Sequence, residues 1–95
     1  MLNHIEIIKD TVVAERTIKS NRIIALKESG VVFNIAETIL NGTRYTYVAF
    51  ESAEKGEPSD EYKVISIKDG IADQITDVKL LMKLLLIFKE MINNE

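Results

Sequence analysis

The pair Asn41-Gly42 constrains the fold more than any other two residues of the chain. It stands between two runs rich in β-branched and aromatic residues, 31–40 and 43–50. No other pair so readily takes the two positive φ values of a type I′ turn. The spacing therefore predicts an antiparallel hairpin. Thr43, Tyr45, Tyr47 and Ala49 then point to one face, and Arg44, Thr46, Val48 and Phe50 to the other. A competing local pattern exists, since Asn34-Ile35-Ala36-Glu37 has the form of a capping box that would start a short helix ended by Gly42. The hairpin is the favoured reading because the β-branched run extends well beyond the turn.

Other segments follow the same logic. Residues 4–8 and 11–18 carry β-branched side chains with partial alternation, and the run 23–26 stops at the turn signal Glu28-Ser29-Gly30. Residues 52–60 read as a loop containing Gly56 and the only proline, Pro58. Residues 62–68 read as a strand, Asp69-Gly70 as a tight turn, and 71–75 as a short returning strand. Thr76 is a good N-cap and Asp77 places negative charge in the first turn of a helix over 77–93. With 95 residues the chain is expected to be a single domain, 1–95. The expected fold class is α+β: an antiparallel β-sheet of four to six strands packed by one C-terminal α-helix.

That helix is more apolar than a one-sided packing needs. At about 100° per residue, Lys79, Lys83, Glu90, Asn93 and Asn94 fall in one polar sector, with only Leu86 intruding. Val78, Leu80, Leu81, Leu84, Leu85, Ile87, Phe88, Met91 and Ile92 occupy an arc of roughly 220°, whereas covering a sheet face takes a stripe of about 100°. Three arrangements would absorb the excess. The sheet curves round both flanks of the helix, or the helix packs against its own copy, or it meets a different protein. Leu81, Leu84, Leu85 and Phe88, near the middle of the arc, are expected on the sheet side. Leu80, Leu84, Ile87 and Met91, at i, i+4, i+7 and i+11, form the flank suited to a neighbouring helix.

Chemistry is sparse. The absence of cysteine removes disulfides, thiolate metal sites and a cysteine nucleophile, and a single histidine excludes multi-histidine sites. His4 beside Glu6 reads as an ordinary surface pair, with no further ligand or nucleophile to name. Asp69, Asp73 and Asp77 recur every four residues, but turn and cap roles account for Asp69 and Asp77 without a metal. The four glycines lie far apart, so there is no phosphate-cradling loop. No cofactor, no metal and no catalysis are expected. The 15-residue apolar stretch 78–92 would span only about 22 Å, short of the ~30 Å hydrocarbon core, and Glu6 interrupts any leader-like run at the start. A cytoplasmic protein is expected, and lysine over arginine (nine to three) points to a bacterial or phage genome.

The formal charge of −3 is concentrated. Glu51, Glu54, Glu57, Asp60 and Glu61 stand against Lys55 alone, so this segment holds nearly all the excess acid. It reads first as a solvated loop and second as an element presenting carboxylates to a basic partner surface. Tyr45, Tyr47 and Tyr62, with Lys63 and Lys68 nearby, have the make-up of a base-stacking platform, but the acidic balance opposes nucleic acid.

From Val31 onward, "VVFNIAETILNGTRYTYVAF", an acid-rich loop, "EYKVISIKDG" and "DQITDVKLLMKLLLIFKEMI" resemble the small, acidic, uncharacterised bacterial family typified by YrzB-like proteins. The resemblance covers residues 31–92. It implies a sheet followed by a terminal helix and carries no catalytic residues. This chain departs from the family pattern in its leucine-rich helix and in confining its acidity to the loop.

The residues thus lead to a non-enzymatic protein-interaction module of bacterial or phage origin, a homodimer associating through Leu80, Leu84, Ile87 and Met91. Two alternatives stay open. One is a phage or mobile-element inhibitor that binds a host or regulatory protein through Glu54, Glu57, Asp60 and Glu61. The other is a weak single-stranded nucleic-acid binder. No membrane association is expected.

Overall fold

Six strands follow one another round a closed antiparallel barrel: β1 (Lys9–Ile18), β2 (Asn21–Leu26), β3 (Gly30–Leu40), β4 (Thr43–Glu51), β5 (Pro58–Lys68) and β6 (Ile71–Gln74). Helix α1 (Val78–Asn93) comes last. The computed structural model describes residues 9–94, so the strand expected over 4–8, with His4 and Glu6, lies outside the described residues. The α+β class and the antiparallel pairing are as expected. The sheet, however, is not an open layer: β1 returns to pair with β6 through Lys9↔Asp73, Asp10↔Ala72 and Thr11↔Ile71. Among the described residues no helix is long and apolar enough to cross a membrane.

The central hairpin forms as its turn residues dictate. Asn41 and Gly42 take φ of 52° and 80°, and Leu40 pairs with Thr43 across them. The capping-box segment is not helical. β3 runs straight through it, and its register shifts between Asn34 and Ala36, leaving Ile35 as a bulge. Further shifts fall between Val12 and Ala14 and between Ala49 and Glu51. An extra residue on one strand bends it and increases the local twist, which is what brings the two edges of a six-strand sheet together.

Alternation then sorts the side chains. Ile24, Leu26, Val32, Val48, Phe50, Ile65 and Ala72 fill the interior, with Val12 and Ile67 packed against them. Val48 and Phe50 share their strand face with Arg44 and Thr46, as the hairpin predicts. A second apolar group, Ile23, Phe33 and Ala49, belongs to the opposite, outer face.

Polar side chains close the two ends. At one, the buried Asp10 carboxylate accepts N–H groups from Thr11 (2.8 Å), Glu28 (3.0 Å) and Ser29 (2.7 Å), tying β1 to the β2–β3 turn. At the other, Arg44 of β4 donates two hydrogen bonds to Glu15 of β1, at 2.6 and 2.9 Å, although those strands are not neighbours. The same guanidinium reaches Glu37 Oε1 (2.9 Å), which also accepts from Asn34 (2.9 Å) and Arg22 (3.3 Å). Within the described residues, Asn34 Oδ1 and Thr46 Oγ1 are buried without a hydrogen-bond partner.

The carboxylates at the ends make acid the weak side of this fold. Burial alone would raise the pKa of Asp10, but hydrogen bonds from Ser29, Glu28 and Thr11 hold it below the usual value. Arg44 lowers Glu15. Burial would raise Glu37, yet Asn34 and Arg44 together lower it. A group whose folded pKa is depressed stabilises the fold above its unfolded pKa and loses that contribution as pH falls through the folded value. Urea midpoints are therefore expected to hold from neutrality to about pH 5 and to drop below about pH 4. Asp10→Asn should remove about 2 kcal/mol at neutral pH and flatten part of the acid limb. A midpoint unchanged between neutrality and pH 3 would contradict the account.

The β1–β2 turn offers a second check. Lys19 and Ser20 both have positive φ, 51° and 71°, a conformation that costs an L-residue with a Cβ about 1 kcal/mol or more. Ser20→Gly should raise stability by up to about 1 kcal/mol despite the added freedom of the unfolded chain. Equilibrium urea unfolding reads the difference directly.

Candidate functional site: the outward face of the terminal helix

Leucine, lysine and methionine, all good helix formers, dominate 79–86, and no β-branched residue interrupts them. The N-cap is Asp77, one residue later than expected: its carboxylate accepts the Lys79 N–H at 3.1 Å. At the far end the Asn94 N–H donates to the Glu90 carbonyl at 3.1 Å.

The helix lies on the outside of the barrel. Leu84 and Phe88 are fully buried with Val64, and Ala36, Leu40, Tyr45, Tyr47, Ile75, Leu80 and Leu81 pack against them. Val64 points away from the interior that its neighbour Ile65 helps to fill. The supporting wall is therefore convex. A sheet closed on itself curves away from a helix on its surface, so the expectation that it might wrap both flanks fails on geometry.

The exposed apolar residues show which flank is left. Val78, Met82 and Leu86 are 65, 62 and 66% exposed, and Leu85 and Ile92 are each 40% exposed. At about 100° per residue these five fall in one stripe roughly 120° wide, with Lys89 and Asn93 inside it. The polar sector of Lys79, Lys83, Glu90 and Asn94 borders the stripe on one side and the barrel on the other.

Several expected positions change sides accordingly. Leu84, assigned to both the sheet side and the outward flank, is enclosed within the protomer and unavailable to a partner. Leu80 and Ile87 are half-buried, and Leu80 packs against the Val64–Leu84–Phe88 group. Met91 stays 39% exposed at the margin of this side. Leu85, expected beneath the helix, faces out. Met82 is the residue the wheel analysis passed over, although its spacing of four from both Val78 and Leu86 identifies it.

Between the helix and the β4–β5 wall runs a shallow trough. Two hollows of about 310 and 250 Å³ share Tyr47 and Leu85 in their lining. Tyr47 is sandwiched, with ring centroids 5.1 Å from Tyr62 and 5.5 Å from Phe88, both near-parallel. Burial, and then the nearby Tyr62, push the Tyr47 hydroxyl pKa up. The Tyr47 ring is thus taken up by the protein's own rings and Tyr45 packs against the Val64–Leu84–Phe88 group, while Tyr62 stays 45% exposed.

The acidic segment is more structured than its composition suggested. The loop spans only 52–57, because β5 begins at Pro58 and so includes Asp60 and Glu61. Ser52 N–H donates to the Glu57 carbonyl (2.8 Å), and the Glu51 carboxylate accepts the Gly56 N–H (2.8 Å). Glu54, Glu57 and Asp60 are exposed, whereas Glu61 is half-buried on its strand. Among the described residues no group of three or more His, Cys, Asp or Glu side chains is placed to hold a metal ion.

Compared with protein-family models, curated proteins and solved structures, the chain matches none. Its function is accordingly argued from its own geometry.

The division between the two helix faces is measurable. Phe88→Ala should cost about 3–4 kcal/mol by opening a hole beside Tyr47 and Val64. Leu86→Ala, measured at a concentration where the chain is monomeric, should stay within about 0.5 kcal/mol of the parent. Comparable losses in urea unfolding would show that the stripe is covered within the protomer.

Proposed function

We propose that this chain is a non-enzymatic interaction module that self-associates through the outward face of α1. One observation carries the reading: five large apolar side chains, sharing one stripe of a single helix with Lys89 and Asn93 between them, remain exposed after the helix has filled its seat on the barrel. Burying one such side chain is worth about 1.5–3 kcal/mol, and a soluble monomer rarely leaves so many in one patch. The trough lined by Tyr47 and Leu85 extends that patch toward β5 and adds aromatic surface of the kind that anchors protein contacts. Two-fold pairing is the commonest way for such a surface to be covered.

Light scattering coupled to size-exclusion chromatography tests the reading. The measured mass should rise from one chain toward two between about 5 and about 500 μM, the range of a modest helix-mediated interface. Met82→Gln with Leu86→Gln should hold the mass at one chain throughout, with the circular dichroism of the barrel unchanged. A parent chain that is monomeric over the whole range would refute self-association.

A further inference from the structure

Lys79, Lys83 and Glu90 lie along the boundary between the exposed apolar stripe and the polar side of α1, within a sector of about 40°. Nothing on their own helix complements them. Lys83 and Glu90 are seven residues apart, about 10 Å along the axis, too far to pair with each other. Three or four positions from Lys83 stand Lys79, Leu80, Leu86 and Ile87. At the same distances from Glu90 stand Leu86, Ile87, Asn93 and Asn94. Among the described residues, neither side chain takes part in a salt bridge. Within one protomer the arrangement is slightly unfavourable, because Lys79 and Lys83 repel at i, i+4.

The same charges are complementary to a reversed copy of themselves. A two-fold axis perpendicular to α1, passing midway between residues 86 and 87, sets Lys83 opposite Glu90 of the second copy and Glu90 opposite its Lys83. In an antiparallel helix pair like margins face each other, so both pairs form on the same side of the contact. The axis also brings Leu86 against its own counterpart and lays Met82 beside the aliphatic stem of Lys89 from the other chain. A parallel pair would instead put the two charged margins on opposite sides of the contact, where Lys83 and Glu90 of the two copies cannot meet.

Resting on the self-association reading above, we propose that the two copies pair α1 antiparallel, with Leu86 at the two-fold axis and reciprocal Lys83–Glu90 ion pairs setting direction and register. The occupant of the stripe is thus a second copy of this chain. Exposed ion pairs contribute little stability singly, but they discriminate between orientations because the antiparallel one forms two of them and the parallel one forms neither.

Charge reversal tests the orientation. Lys83→Glu alone and Glu90→Lys alone should each weaken association by about tenfold in sedimentation equilibrium at low salt, and K83E/E90K together should return to within about twofold of the parent. The chain has no cysteine, so Leu86→Cys introduces a single thiol that should give a disulfide-linked dimer under mild oxidation. If the parent dimerises but the single reversals have no effect, or the double variant is not restored, the antiparallel register is wrong while self-association stands. A monomeric parent removes both.

Discussion

Closure of the sheet is the constraint from which the rest of this molecule follows. Three residue pairs between β1 and β6 join its edges. Once they are joined, the inward side chains of all six strands have only one another to pack against. Ile24, Leu26, Val32, Val48, Phe50, Ile65 and Ala72 occupy that space, and a barrel of six strands is too narrow to hold a helix beside them. The terminal helix must then sit on the outer surface. A cylinder resting on a convex wall touches it along a narrower band than one lying in a concave sheet. The excess apolar arc of α1 and the curvature of its support are thus two sides of one geometric fact.

The polar ends bear on the same closure. Glu15 and Arg44 belong to strands that share no backbone hydrogen bonds, so their two-bond contact acts as a tie across one mouth. Arg44 is held above its already high pKa by Glu15, with Glu37 adding to it against the effect of burial. A guanidinium locked by two carboxylates from different strands favours one spacing of those strands. The exposed part of this network is screened by solvent, and its value lies more in specifying the barrel's diameter than in raw stability. Asp10 has the corresponding place at the other end, where turn N–H groups satisfy a carboxylate that would otherwise be buried unpaired.

Much of this architecture was legible wherever local chemistry decides it. Asn41-Gly42 imposes its hairpin, and the two faces of 43–50 follow from it residue by residue. Barrel closure was not legible, because it depends on bulges at Val13 and Ile35 that look like ordinary members of β-branched runs. The boundary of the acidic loop shifted because Pro58 can begin a strand, where its missing N–H is harmless. A helical wheel gives the width of an apolar arc but not which edge of it a support will take. That choice rests on Val64, Ala36 and Leu40, which come from two separate strands and meet the helix only after folding. Leu84 therefore keeps only its sheet-side role and Leu85 loses its own, with no signal in their own neighbourhood.

The exposed apolar surface elsewhere on the barrel is of another kind, and the contrast is what isolates α1. Val13 and Ile35 are bulge residues, Ile18 and Ile39 stand beside hairpin turns, and Ile71 follows Gly70. Each is accounted for by local strand geometry, and apolar residues exposed singly are normal on any soluble protein. On α1 the exposed residues share a single stripe, and no backbone requirement places them there. A lysine or glutamate at 82 or 86 would suit a solvent-facing helix at least as well. Met82 and Leu86 stand clear of the barrel, where a polar residue would serve the fold as well, and it is on this surface that the proposed association rests.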